Sequence, residues 1–75
     1  MKVAEMKKNA LAQLRNLGRQ AAKVGKAQGQ GSDEYTRARH WIDAQREAYV
    51  NIKLMTYIEA TRAIQEGYEQ VYCSK

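Results

Sequence analysis

The chain has no proline and no phenylalanine, one cysteine, one histidine and five glycines in 75 residues. Without proline, and with four of the glycines falling between Gly18 and Gly31, long stretches run uninterrupted by a helix breaker. Abundant alanine adds to a helical composition. The lone Cys73 and the lone His40 lie far apart, which excludes the disulfide framework or zinc cluster that supports many small folds. One cysteine suits a reducing compartment. No run approaches the roughly 18 consecutive apolar residues of a membrane span, because the most apolar region, Ala48 to Ile58, is broken by Asn51, Lys53 and Thr56. No short apolar run follows a basic start as in a secretory signal, so the cytoplasm is the expected location. A chain this short buries only about 60% of the surface its unfolded form exposes. Its own core is therefore expected to be thin, and an oligomer or a partner to complete it.

What is present is helical periodicity. Val3, Met6, Ala10, Leu14, Leu17, Ala21 and Val24 recur at steps of three and four, on one narrow face of a helix. This predicts a first helix over about residues 2–27, closed by Gly25, Gly29 and Gly31 and by Lys23 and Lys26 at the negative end of its dipole. Residues 28–32 form the turn. Ser32 or Asp33 then caps a second helix, with Asp33 and Glu34 at its positive end.

No breaker follows until Gly67, so the second helix is expected to span about residues 33–71, about 57 Å at 1.5 Å per residue against about 38 Å for the first. Folded as an antiparallel hairpin, the two leave about a third of the second helix without an intramolecular neighbour. Its apolar residues form two stripes. Tyr35, Ala38, Ile42, Gln45, Tyr49 and Ile52, flanked by Trp41, Ala48 and Met55, face the first helix, with Trp41 expected in the core. Val50, Leu54, Tyr57, Ile58, Thr61, Ile64, Tyr68 and Val71 form the other, which calls for a second copy or a different protein. A bend between Asn51 and Thr56 is the rival arrangement, returning the last third as a third helix. The leading expectation is an all-α, single-domain helical hairpin over residues 1–75 that dimerises into a helical bundle.

Chemistry is hard to find. The turn Gly25-Lys-Ala-Gln-Gly-Gln-Gly-Ser32 invites comparison with phosphate-binding loops, but Lys26 precedes the final glycine instead of following it, and no strand comes before. His40 has Asp43 three residues on and no further partner at catalytic or metal-ligand spacing. No catalytic residue, metal or cofactor is expected.

Charge is more informative. Through Ala27, Lys2, Lys7, Lys8, Arg15, Arg19, Lys23 and Lys26 stand against Glu5 alone, so the net charge of +5 is concentrated on the first helix. Lys8, Arg15, Arg19, Lys23 and Lys26 fall within about 80° of one another, a basic rail about 27 Å long. Such a rail could follow phosphates or meet an acidic protein surface, and it could equally be the solvated face of an amphipathic helix. Aromatic residues gather in the second helix: Tyr35, Trp41 and Tyr49, then Tyr57, Tyr68 and Tyr72. On an unpartnered stripe the last three suit an interface, where tyrosine supplies large contact area at low entropic cost.

Leu14-Arg15-Asn16 followed by Tyr35-x-x-Ala38-x-x-Trp41-Ile42-Asp43 resembles the helical hairpin of small phage-encoded quorum-sensing anti-activators, over about half of the chain. The resemblance implies a two-helix protomer that dimerises and captures a host regulator. The chain differs from it in its strongly basic first helix and longer second helix, and no binding residue is carried over. A second likeness, of architecture alone, is to the plasmid copy-number regulators that dimerise into a four-helix bundle and bind RNA. The expected function is thus non-enzymatic: a protein, homodimeric, that binds and regulates or inhibits another macromolecule such as a host protein. Leu54, Tyr57, Ile58, Ile64, Tyr68, Val71 and Tyr72 would make the oligomer or partner interface. The alternatives are a nucleic-acid-binding regulator using the basic rail, and a secretion-type chaperone or structural subunit.

Overall fold

In a computed structural model, which describes residues 2–73, the chain is all-helical. It has three helices, α1 (Val3–Gln28), α2 (Asp33–Asn51) and α3 (Tyr57–Tyr72), with no strand among the described residues. The expected second helix over 33–71 is therefore two helices, and the two-helix hairpin gives way to the rival arrangement with a bend.

The bend has a local cause at each side. At the end of α2 the Leu54 N–H reaches back to the Tyr49 carbonyl (3.1 Å) and the Lys53 N–H to the Val50 carbonyl (3.0 Å), with Lys53 in the left-handed region at φ 60°. These two bonds are the Schellman termination, which closes off orphan carbonyls. Glycine usually takes that left-handed position; lysine gives no such signal in the sequence. Three residues on, Thr56 starts α3 with a capping box: its hydroxyl accepts from the Glu59 N–H (3.1 Å) and Glu59 Oε1 accepts from the Thr56 N–H (3.0 Å).

α1 and α2 join through Gly29, whose φ of 91° and ψ of 149° are extended positive-φ backbone open to glycine, and Ser32, whose side chain accepts from the Tyr35 N–H (3.2 Å). α1 reaches one residue further than expected. α2 runs antiparallel to α1: Tyr49 donates to Gln13 (2.7 Å) at one end, and the Tyr35 ring lies over Gly25 at the other. α3 then returns parallel to α1, with Lys7 paired to Glu59 near their starts, Arg19 donating to Gln70 (2.8 Å) further along and Lys26 donating to the Val71 carbonyl (3.4 Å) near their ends.

The closest packing is between α1 and α3. Small residues make it possible: Gly18 of α1 meets the main chain of Ile64, and Gly67 of α3 meets that of Arg15 and Arg19. Beside the expected apolar stripe of α1 there is thus a second buried strip, Gly18, Ala22 and Gly25, which carries too little hydrophobicity to register as one. The core consists of Ala10, Leu14, Ala21, Ile42, Met55, Ala60, Ala63 and Ile64. Among its larger side chains, only Leu14 and Ile42 are completely enclosed. Alanine lets backbones approach but buries little apolar area, so each large core side chain carries much of the stability.

Candidate interaction surfaces

With α3 folded back, the second apolar stripe finds its partner inside the chain. Ile64 is 4% exposed and belongs to the core, and Leu54 and Tyr68 pack against that core. Val71 is half-buried. Only Tyr57, Ile58 and Tyr72 of the expected interface remain exposed. Trp41, expected inside, is 60% exposed. It lies between Thr36, Arg37 and His40 on one side and Leu17, Gln20 and Ala38 on the other.

The basic rail is also altered. Lys8 and Lys23 are exposed, but Arg15 and Arg19 are half-buried where α3 crosses. Arg19 is held by Gln70 and by Asn16 (3.3 Å), and Lys26 sits 6.0 Å from the Tyr72 ring centroid while donating to α3. Two of the five cations are thus engaged with α3 instead of standing in a free row.

Two surfaces remain. The first is the end of the bundle where α1 begins and α2 hands over to α3. The Lys7–Glu59 pair brings the first turns of α1 and α3 together there. Val3, Met6, Ile52, Tyr57 and Ile58 are all exposed at this end.

The second is an open groove of 460 Å³ between α2 and α3. Arg39 and Arg46 form the α2 wall, Ile64 and Tyr68 the apolar part, and Thr61, Gln65, Glu69, Tyr72 and Cys73 the α3 side. Tyrosines fix both arginines. Arg39 donates to the Tyr68 hydroxyl (3.2 Å), and its guanidinium carbon is 5.6 Å from that ring's centroid. Arg46 lies 4.6 Å from the Tyr57 centroid, donates to Thr61 (3.4 Å) and pairs with Asp43 (2.9 Å). Tyr68 in turn shares a 2.9 Å hydrogen bond with the Tyr35 hydroxyl and stacks on Tyr72 at 6.1 Å. Burial, and then the bond to Tyr68, pushes the Tyr35 pKa up to about 12. The hydrogen bond to Tyr68 raises that of Arg39, so this guanidinium stays charged at every ordinary pH.

Sequence reading missed Arg39 and Arg46. Their separation of seven residues, with tyrosines to either side in the chain, was visible, but which helix would face them depended on the bend. His40 is exposed, and Asp43 pairs with Arg46, not with it. Among the described residues no group of three or more His, Cys, Asp or Glu side chains could hold a metal ion. None of the described helices is long and apolar enough to cross a membrane. Comparison with protein-family models, curated proteins and solved structures finds no match to this chain.

Proposed function

We infer that the chain is a small, cytoplasmic, non-enzymatic interaction protein that dimerises and binds another macromolecule, regulating or inhibiting it. The observation that carries this reading is the apolar end: Val3 (70% exposed), Ile52 (66%) and Ile58 (69%) face solvent, while among the described residues the core fully encloses only two large side chains. Apolar side chains exposed near one end of a bundle favour burial against another protein. A two-fold contact through this end would cover the same residues on both copies. The resemblance to phage-encoded inhibitors supports a host protein as the further partner. Nucleic-acid binding along α1 has weaker support, since Arg19 and Lys26 are occupied by α3.

The test joins sedimentation with capture from nuclease-treated lysate of the natural host. The wild type is expected to sediment as a dimer and to retain a host protein after nuclease. A chain with Ile52→Ser and Ile58→Ser is expected to keep its helicity and sediment as a monomer. A wild type that is monomeric at high micromolar concentration removes the dimer, and retention abolished by nuclease moves the reading to nucleic acid.

A further inference from the structure

α1 packs against both other helices, whereas α2 and α3 touch each other least and leave the groove between them. Its chemistry is asymmetric. Arg39 and Arg46 stand two turns apart on α2, about 10.5 Å along the axis. Across the groove Thr61 accepts from Arg46 and Tyr68 from Arg39, with the neutral Gln65 between them on α3 and Glu69 next to Tyr68 in the chain. Between the walls the lining is Ile64 and the Tyr68 ring, with Tyr72 beyond.

The two arginines are not equally satisfied. Arg46 has Asp43, a half-exposed carboxylate on its own helix. Arg39 has no carboxylate within ion-pair distance among the described residues, and only the neutral Tyr68 hydroxyl accepts from it. A guanidinium fixed in place, with spare N–H donors and no carboxylate in direct contact, is prepared for one from elsewhere.

We propose that the α2/α3 groove binds an acidic amphipathic helix of a partner protein, laid in as the fourth helix of a bundle, with two carboxylates two turns apart meeting Arg39 and Arg46. This rests on the reading of the chain as an interaction protein and names its partner's chemistry. Charge complementarity decides among occupants. A helix supplies both an apolar face for the tyrosine-lined floor, beneath which Ile64 is already buried, and a carboxylate row at the arginine spacing. A nucleic-acid strand would need open ring faces, but Tyr68 already stacks on Tyr72 and contacts Arg39, and Tyr57 carries Arg46. A second copy would bring its own +5 charge to a basic wall. Its acids at the same spacing are Glu59 and Glu66, and Glu59 is already bound to Lys7.

The groove is tested with a fluorescent synthetic helix that has leucines on one face and two glutamates seven residues apart beside them. Its controls are a twin with glutamines in their place and a labelled single-stranded oligonucleotide. Anisotropy is expected to show the acidic helix binding about tenfold more tightly than its twin, a gap that shrinks in high salt. Arg39→Gln is expected to lose about tenfold in affinity with the helical circular dichroism unchanged. Asp43→Asn, which releases Arg46, is expected to tighten binding, a gain that misfolding cannot produce. The proposal is overturned if the acidic helix fails to bind at millimolar concentration, if the twin binds equally well, or if the oligonucleotide displaces the helix. Sedimentation and host-protein capture stay intact if only the groove assignment fails, so the two failures are distinguishable.

Discussion

Gly67 of α3 lies against the main chain of Arg15 in α1: a Cβ there would run into the Arg15 carbonyl oxygen and stand 3.0 Å from its carbonyl carbon. A Cβ at Gly18 would meet the Ile64 main chain in the same way. Backbone cannot swing aside as a side chain can, so the helices must part. Alanine gains about 1 kcal/mol in helix propensity over glycine, against about 1–3 kcal/mol for overpacking. Gly67→Ala and Gly18→Ala are expected to be net destabilising, lowering the thermal midpoint by several degrees. Gly31→Ala, with open space around it, is the control and is expected to be close to neutral.

The bend between α2 and α3 makes an opposite prediction for a glycine. Lys53 holds φ 60°, where a side chain costs about 1–2 kcal/mol and glycine does not. Lys53→Gly is expected to stabilise the fold by about 0.5–1 kcal/mol, offset in part by greater unfolded-chain entropy. Thr56→Ala removes a cap and is expected to cost about 1 kcal/mol. Denaturant midpoints of the two variants should move in opposite directions. If the helix ran straight through this segment, glycine would instead destabilise it.

Helical structure was legible because periodicity and caps are local, but the single helix expected over 33–71 is two. α1 is right to within a residue, and Ser32 marks the start of α2 as a residue with a capping oxygen should. The bend was half legible. Thr56-x-x-Glu59 is a capping-box signature in the sequence, but Lys53 concealed the helix end before it. The interaction surface was least legible, since it depends on where α3 goes. The stripe containing Ile64 and Tyr68 looked unpartnered because its partner strip on α1 is Gly18, Ala22 and Gly25, residues with little side chain to count.

Glu59 links the start of α3 to α1 and gives the fold a pH signature. The ion pair with Lys7, and then the Thr56 N–H, lower its pKa from 4.5 to about 2. A depressed carboxylate contributes stability above its unfolded pKa and loses it as pH falls through the folded one. Thermal midpoints measured between pH 5 and pH 2 are expected to fall more steeply for the wild type than for Glu59→Gln. Salt near 1 M should narrow the difference without closing it, because screening weakens the pair with Lys7 but leaves the bond to the backbone.

Trp41 reports on a surface because it is the only tryptophan and is 60% exposed. Its emission is expected to be that of a solvated indole, open to acrylamide. Trp41→Ala should change stability by no more than about 0.5 kcal/mol, as for most surface positions. A blue-shifted, protected indole in dilute protein would contradict this placement and restore the core position that its size suggests.

Ile58 and Ile64 lie six residues apart on α3, one at 69% exposure and the other at 4%. Their substitutions therefore separate folding from association. Ile64→Val is expected to destabilise the chain by about 0.5–1.5 kcal/mol, whereas Ile64→Ala, at about 2–5 kcal/mol, threatens the whole fold of so small a core. Ile58→Ser should leave the unfolding of the monomer nearly unchanged and, on the proposed two-fold contact through this end, raise the concentration needed for dimers. Guanidinium melts at several protein concentrations resolve the two effects, since only a contact between copies makes the midpoint concentration-dependent. A neutral Ile64→Ala together with an unfolded Ile58→Ser would mean that α3 is rotated about its axis, with the opposite stripe against α1.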